Sequence, residues 1–133
     1  MTYLLDTCVI SDFVKGLPAT LKRIKETSPD LIAVSTISRM EIEYGLHLNP
    51  ERARKITPVI QAFLASIRTL PFGEPDAQFA GTIRATLQRQ GKPIGSYDVL
   101  IAGTALARGL TLVTSNTGEF SRVGGLAIED WRA

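Results

Sequence analysis

Two residue types on which common protein chemistries depend are almost missing from this chain. It has a single cysteine, Cys8, and a single histidine, His47, among its 133 residues. One cysteine cannot form an intramolecular disulfide, which argues against a small secreted fold held by cross-links. One histidine gives little support to a Ser/His or Cys/His catalytic pair. We expect His47 to lie on the surface and Cys8 to pack beneath the start of the first helix.

Long apolar stretches and a secretion signal are also absent. No run approaches the roughly 20 apolar residues that a membrane-spanning helix needs. The N-terminus has no basic segment and reaches an acid at Asp6, unlike a signal peptide. We therefore expect a cytoplasmic protein with no membrane partner. The chain also lacks a Walker A sequence and the pattern G-x-G-x-x-G, so these two nucleotide-binding loops are excluded.

The charge balance is only mildly basic. The net charge is +2, with ten arginines and five lysines. A protein that binds nucleic acid mainly through its overall charge would carry more positive charge. If the substrate is RNA, a local basic patch must bind its phosphates, and the candidates are Arg39, Arg84, Lys92 and Arg122.

The pattern of apolar residues predicts a single α/β domain over residues 1–133, without repeats or a linker. The predicted strands are 3–5, 31–34, 69–72, 110–114 and 126–128. The predicted helices are 9–15, 17–26, 37–48, 51–67, 75–90 and 96–108. Pro58 is expected to interrupt or kink the fourth helix. This alternation is typical of an α/β sandwich around a mostly parallel sheet, in which ligands bind at the carboxyl ends of the strands.

Most acidic residues are expected to be solvated surface charges. This group consists of Asp12, Glu26, Asp30, Glu51, Glu74, Asp76, Glu129 and Asp130. Asp6 differs because it ends an apolar strand at the carboxyl end. A functional carboxylate and a simple cap for the following helix are both consistent with that position.

Glu41 is predicted to lie on the core-facing side of its helix. At 100° per residue it shares a face with four other positions. These are Ile37, Tyr44, Gly45 and Leu48. A carboxylate on such a face must be paired or bound to a metal, because an unpaired buried charge costs several kcal/mol. The alternative to a metal is a buried ion pair with Arg39 or Arg84.

Asp98 lies in the first turn of a helix that is apolar on nearly all sides and is therefore expected to be internal. Helix N-termini favour carboxylates, so a capping role is the alternative to a functional one. Ala102 and Ala105 share the face of Asp98 and leave room for another group. The polar segment 114–120 follows the apolar residues 110–113, which is a typical position for a site, although it also fits a plain capped turn.

Three acids at corresponding ends of different elements predict that Asp6, Glu41 and Asp98 converge on one pocket. Carboxylates a few ångström apart repel one another unless a cation is present. Oxygen ligands without His or Cys select Mg²⁺ or Mn²⁺ rather than zinc, and such a site suits phosphodiester hydrolysis. A hydrolase with an aspartyl-phosphate intermediate at Asp6 is disfavoured, because Cys8 stands where that chemistry needs a second acid.

Four segments of the chain resemble the motifs of PIN-domain toxins of the VapC family. They are Leu4–Ser11, which in the family usually reads LLDTNVIS, then Met40–Gly45, Pro93–Ala102 and Leu112–Phe120. The ending Glu129-Asp130-Trp131 also fits. Each motif alone has low specificity, but their order and spacing together are specific and cover nearly the whole chain.

The resemblance implies a three-layer α/β/α PIN fold and an endoribonuclease that uses Mg²⁺ or Mn²⁺ to cleave structured or single-stranded RNA, often tRNA. Carried over by position, Asp6, Glu41 and Asp98 are the acidic, metal-binding core. Asn116 falls where many members have a fourth aspartate, and Glu119 is the next acid available.

The resemblance also implies binding partners. It predicts a homodimer, or a larger toxin–antitoxin assembly, that is inhibited by a cognate VapB-type antitoxin. The C-terminal segment of the antitoxin is expected to occupy the active-site groove. Operator DNA would be bound only through the antitoxin.

Two residues depart from the family pattern. Cys8 replaces a common asparagine that would support the first acid, so local positioning is expected to differ. Asn116 in place of aspartate removes a negative charge but still offers a carbonyl oxygen. We therefore expect weaker metal binding rather than loss of function, with Glu119 able to compensate. The same substitution keeps open a second function, a catalytically weak or inactive PIN-fold module that binds RNA or a protein.

Overall fold

The computed structural model describes all 133 residues as five strands and seven α-helices. The strands are β1 (Tyr3–Leu5), β2 (Ile32–Ser35), β3 (Arg68–Leu70), β4 (Thr111–Val113) and β5 (Ile128–Glu129). The helices are α1 (Thr7–Lys15), α2 (Pro18–Glu26), α3 (Thr36–Leu48), α4 (Pro50–Ser66), α5 (Glu74–Arg89), α6 (Ser96–Ala107) and α7 (Thr117–Phe120). A short 3₁₀ turn, Pro29–Leu31, precedes β2.

Every predicted strand and helix is present, with ends that coincide or are displaced by at most two residues. Helix α4 continues through Pro58, so the expected interruption of that helix is wrong. The short helix α7 was not predicted. It occupies the polar segment after β4, where four residues are too few to produce a recognisable period.

All neighbouring strands pair in parallel, in the order β3-β2-β1-β4-β5. The prediction of an α/β fold with a mostly parallel sheet is confirmed. Strand β1 is central, with Leu5 opposite Val34 of β2 and Val113 of β4. Parallel pairing brings the carboxyl ends of β1, β2 and β4 to one edge of the sheet, where Asp6 follows β1.

The side chains of the strands alternate between two hydrophobic clusters, one on each face of the sheet. Leu4 and Leu112 pack with residues of α5, α6 and α7 on one face. Leu5 and Val113 pack with residues of α1 and α4 on the other. Burial on both faces produces the three α/β/α layers, and it explains why the strands read as continuous apolar runs. None of the helices is both long and apolar enough to cross a membrane.

The prediction that Asp12 and Asp76 are surface charges is wrong, because both side chains are buried. Asp12 of α1 accepts two hydrogen bonds from Arg132, at 2.7 and 2.8 Å. Asp76 of α5 accepts hydrogen bonds from the Gly73 amide at 2.8 Å and from Arg108 at 3.1 Å. Each carboxylate therefore ties a helix to a distant part of the chain.

The predicted orientation of α3 is also wrong. Tyr44 and Leu48 are 63% and 67% exposed, so their side of the helix faces solvent rather than the core. The buried side instead carries Ser38, with Ile42 and Leu46 partly buried against the cluster that contains Leu5. Glu41 lies between these two sides and is half-buried.

We expect Asp76→Ala to lower the free energy of unfolding by about 1–3 kcal/mol, since it removes the acceptor for the Gly73 amide and leaves Arg108 without its partner. Urea denaturation would measure the change. Glu74→Ala is the matched control, because Glu74 lies in the same helical turn but is exposed; it should cost no more than about 1 kcal/mol. Equal losses for the two variants would contradict this role of Asp76.

Candidate active site

Asp6 lies at the carboxyl end of the central strand and is 6% exposed. Its Oδ1 accepts a hydrogen bond from the Thr7 amide at 2.8 Å, which caps α1. Its Oδ2 accepts a second hydrogen bond from the Thr114 hydroxyl, also at 2.8 Å. Asp6 therefore caps the helix, as one interpretation predicted, and is also fixed by a residue that follows β4. Its functional role stays a prediction.

Cys8 lies beside Asp6 and contributes to the same network. Its Sγ is 3.5 Å from Asp6 Oδ2, and the Ser115 hydroxyl donates to the sulfur at 3.3 Å. Burial, together with the negative charge of Asp6, raises the pKa of the thiol. The thiol therefore stays protonated at neutral pH and can donate its proton towards Asp6.

Glu41 is held by a hydroxyl rather than by a cation. Its Oε1 accepts a hydrogen bond from the Thr7 hydroxyl at 2.7 Å. Arg39 instead donates to the Thr69 hydroxyl, at 2.9 Å, and Glu41 forms no ion pair. The alternative of a buried ion pair at Glu41 is therefore wrong. Thr7 connects Asp6, through its amide, with Glu41, through its side chain.

Asp98 lies close to the other acids at the start of α6. Gly95 occupies the N-cap position, and no side chain caps this helix, so the capping alternative for Asp98 is not realised. Burial, followed by the negative charges of Glu119 and Asp6, raises the pKa of Asp98 to about 7. The charge of Glu41 acts in the same direction. The four carboxylates thus share one electrostatic environment.

Glu119 of α7 supplies a fourth carboxylate. It accepts hydrogen bonds from the Gly95 amide and, at 2.6 Å, from the Asn116 side-chain amide. Burial opposes ionisation of Glu119, but these hydrogen bonds, together with those from Asp98 and the charge of Arg122, outweigh it and lower its pKa. Asn116 does not cap α7 and instead fixes the acid three residues ahead.

The backbone at Gly95 lies very close to two carboxylates, those of Asp98 and Glu119. A Cβ atom at this position would lie 2.9 Å from Asp98 Oδ2 and 3.5 Å from Glu119 Oε1. Only glycine therefore allows the backbone to approach both acids while donating its amide to Glu119. Any residue can adopt the backbone angles found at Gly95. Glycine is therefore needed for the space that its missing side chain leaves, not for its conformational freedom.

The structure brings together the five predicted site residues, Asp6, Glu41, Asp98, Asn116 and Glu119, through a shared set of hydrogen bonds and charges. At the distances found here, however, no three acidic, His or Cys side chains form a ready set of metal ligands. His47 is solvent-exposed and only 3.9 Å from Glu43, as expected for a surface residue.

Sequence reasoning missed three residues that fix the acids. Thr7 and Thr114 donate hydroxyl hydrogen bonds to Glu41 and Asp6, and Gly95 donates its amide to Glu119. Thr114 directly follows β4, and Thr7 comes two residues after the end of β1, so both stand near strand ends, which is a signal that the sequence carried. The role of Gly95 had no such signal, because it depends on Glu119, 24 residues away.

This combination of a parallel sheet with acids at its carboxyl edge has clear relatives. Residues 3–126 match the PIN domain. The chain belongs to the PIN-domain family. It is 38% identical to the tRNA(fMet)-specific endonuclease VapC of Shigella flexneri, over 98% of each chain. The VapC type of PIN domain predicted from the motifs is therefore confirmed.

Solved structures of VapBC complexes show the same fold. The DNA-bound VapBC of Salmonella typhimurium matches this PIN domain with a TM-score of 0.91 and 34% identity, over 98% of both chains. VapBC2 of Rickettsia felis, bound to a DNA fragment from its promoter, also matches with a TM-score of 0.91, at 28% identity over 98% of this chain and 99% of that one.

We expect Gly95→Ala to reduce the nuclease activity of this PIN domain about 100-fold, because the added Cβ displaces the Asp98 carboxylate and a misplacement of about 1 Å has that effect. Cleavage of RNA by the purified variant would measure it. Gly118→Ala is the matched control, since a Cβ there meets nothing within 4 Å. Equal activity of the two variants would show that the close approach at Gly95 is unimportant.

Proposed function

We propose that this VapC-type PIN domain is a metal-dependent endoribonuclease and the toxin of a toxin–antitoxin pair, with tRNA or another structured RNA as its substrate. The observation that carries the proposal is the cluster of four carboxylates at the carboxyl edge of the sheet, none of which forms an ion pair within the chain. The relatives named tRNA(fMet)-specific endonuclease and ribonuclease VapC support RNA as the substrate.

The donor set fits a hard divalent cation. The residues that would hold it are Asp6, Glu41 and Asp98, with Glu119 next to them, and all offer carboxylate oxygens. Burial, and after it the negative charges of the neighbouring acids, raise the pKa of Asp98, and a bound cation would favour its ionised form. We propose Mg²⁺ or Mn²⁺ at this site.

When bound, such an ion activates water and offsets the negative charge that develops on the phosphate during hydrolysis. The chain's own residues orient the ligands. Thr7 and Thr114 hold Glu41 and Asp6 by their hydroxyls, and the Gly95 amide holds Glu119. Because these donors are neutral, they fix the carboxylates without cancelling the charge that attracts a cation.

The alternative of an inactive binding module depended on the charge missing at Asn116. Glu119 offsets that loss, since the Asn116 amide holds its carboxylate next to Asp98. The acidic cluster therefore still has four carboxylates.

We propose that the antitoxin binds a groove between α1, α3 and α4 that runs from Glu41 to Arg52. The groove has a volume of about 180 Å³, and apolar side chains such as Ile42 and Ile56 line it. The VapBC complexes from other organisms support a VapB-type partner, which would also carry operator DNA. We also propose that the chain forms a homodimer and acts in the cytoplasm.

We expect purified, antitoxin-free protein to cleave total RNA in Mg²⁺ or Mn²⁺, and both EDTA and Asp98→Asn to reduce cleavage at least about 100-fold, because each removes the charge stabilisation of the reaction. Gel analysis of labelled RNA would measure the rate. Asp30→Asn is the control, since Asp30 is exposed on the 3₁₀ turn. Cleavage that persists in EDTA and in Asp98→Asn would refute the metal mechanism.

We expect Gly45→Trp to abolish co-purification with the antitoxin, because Gly45 lines the groove and is exposed, so the indole fills the groove without disturbing the core. Co-expression with the cognate VapB-type antitoxin, followed by affinity capture, would test this. Gly81→Trp places the same side chain on an exposed face of α5 and should retain the antitoxin. Retention by both variants would place the antitoxin elsewhere.

A further inference from the structure

A second concave surface lies between the end of α5 and the start of α6, outside the carboxylate cluster. It encloses about 420 Å³, within the range of small-molecule sites. Its floor is apolar and includes Leu87 and Val99, which are 2% and 7% exposed. Its polar lining includes Arg84 and Gln88 of α5, both exposed. We call this surface the α5–α6 pocket.

The α5–α6 pocket and the carboxylate cluster share one wall. Pro93 and Ser96 line the pocket, while Gly95 between them contacts Asp98 and Glu119. The two sites are therefore separated by a single stretch of backbone. An extended polymer bound at the carboxylates reaches the pocket by crossing that stretch.

Basic residues lie in and near this pocket. Arg84 lines it and forms no ion pair within the chain. Lys92 is exposed and precedes Pro93, which lines the pocket, and Arg122 donates a hydrogen bond to the Pro93 carbonyl oxygen at 3.1 Å. Three of the four basic residues predicted as phosphate contacts thus lie here, whereas Arg39 donates to Thr69 elsewhere.

The geometry points to the α5–α6 pocket as a subsite for one nucleotide of the RNA strand, next to the phosphodiester bond that is cleaved. The base would lie on the apolar floor, and Arg84 would bind the adjacent phosphate. Apolar surface with a guanidinium at its edge matches the two parts of a nucleotide. This inference rests on the proposed ribonuclease function.

Arg84→Gln tests the phosphate contact, and Arg89→Gln is the matched control, because it removes the same charge from an exposed position on the same helix outside the pocket. Binding of a labelled single-stranded RNA would be followed by fluorescence anisotropy in the non-cleaving Asp98→Asn background. We expect Arg84→Gln to raise the Kd about 10-fold. It should also reduce the slope of log K against log salt by about 0.7. Arg89→Gln should change neither.

Gln88→Trp tests the base site by filling the pocket, with Gln78→Trp on an exposed part of α5 as its control. With otherwise wild-type protein, we expect Gln88→Trp and Arg84→Gln to raise the KM for RNA about 10-fold and to leave kcat unchanged. Equal effects of Arg84→Gln and Arg89→Gln would overturn the subsite. So would a change in molar mass by light scattering for Gln88→Trp with unchanged RNA affinity, since that result assigns the pocket to a second copy of the chain.

The cleavage and binding measurements together distinguish failure of the ribonuclease proposal from failure of the subsite proposal. If the wild-type protein cleaves no RNA but Arg84→Gln selectively weakens RNA binding, the ribonuclease proposal fails, and the pocket binds RNA without being a subsite for cleavage. If the wild-type protein cleaves RNA and the Arg84 and Arg89 variants behave alike, the subsite alone fails.

Discussion

Four carboxylates lie together at one edge of the sheet, those of Asp6, Glu41, Asp98 and Glu119. Their negative charges act on one another, so neighbouring groups must hold them in place. Asp6, Glu41 and Glu119 are fixed by neutral donors, namely hydroxyl and amide groups, and none of the four forms an ion pair. The contrast with the other buried acids is informative. Asp12 and Asp76 are each paired with an arginine, and each pair holds a helix to a distant part of the chain. Neutral support leaves the charge of the cluster available to a cation.

The parallel sheet explains why this cluster could be predicted from the sequence. Asp6 follows an apolar strand, and the polar segment with Asn116 follows another, so parallel pairing alone brings them together. Glu41 was found for a partly wrong reason, since the apolar residues Tyr44 and Leu48 beside it face solvent. Exposed apolar residues on a helix produce the same period as a stripe that faces the core. Periodicity therefore cannot distinguish an exposed apolar surface from one that packs in the core.

The errors at Asp12 and Asp76 have a different physical origin. Their partners, Arg132 and Arg108, lie 120 and 32 residues away in the chain. In the sequence, an acid that pairs with a distant arginine cannot be distinguished from a solvated surface charge. Its burial depends on tertiary contacts, which leave no local sequence pattern. The supporting role of Gly95 was hidden for the same reason. Local sequence thus locates the acids but not the residues that decide whether each acid is structural or functional.

The charge of the cluster also sets a requirement for the substrate. A phosphodiester approaching four carboxylates is repelled unless positive charge is supplied from elsewhere. A net charge of +2 over the whole chain is too small to supply it at long range. The metal ion proposed at the cluster would supply part of this charge, and the rest must come from nearby residues. Arg84 lines the α5–α6 pocket and Arg122 donates to the Pro93 carbonyl oxygen, so both lie near the backbone that carries Gly95. RNA would then be selected by the fit of nucleotides beside the cluster rather than by general attraction.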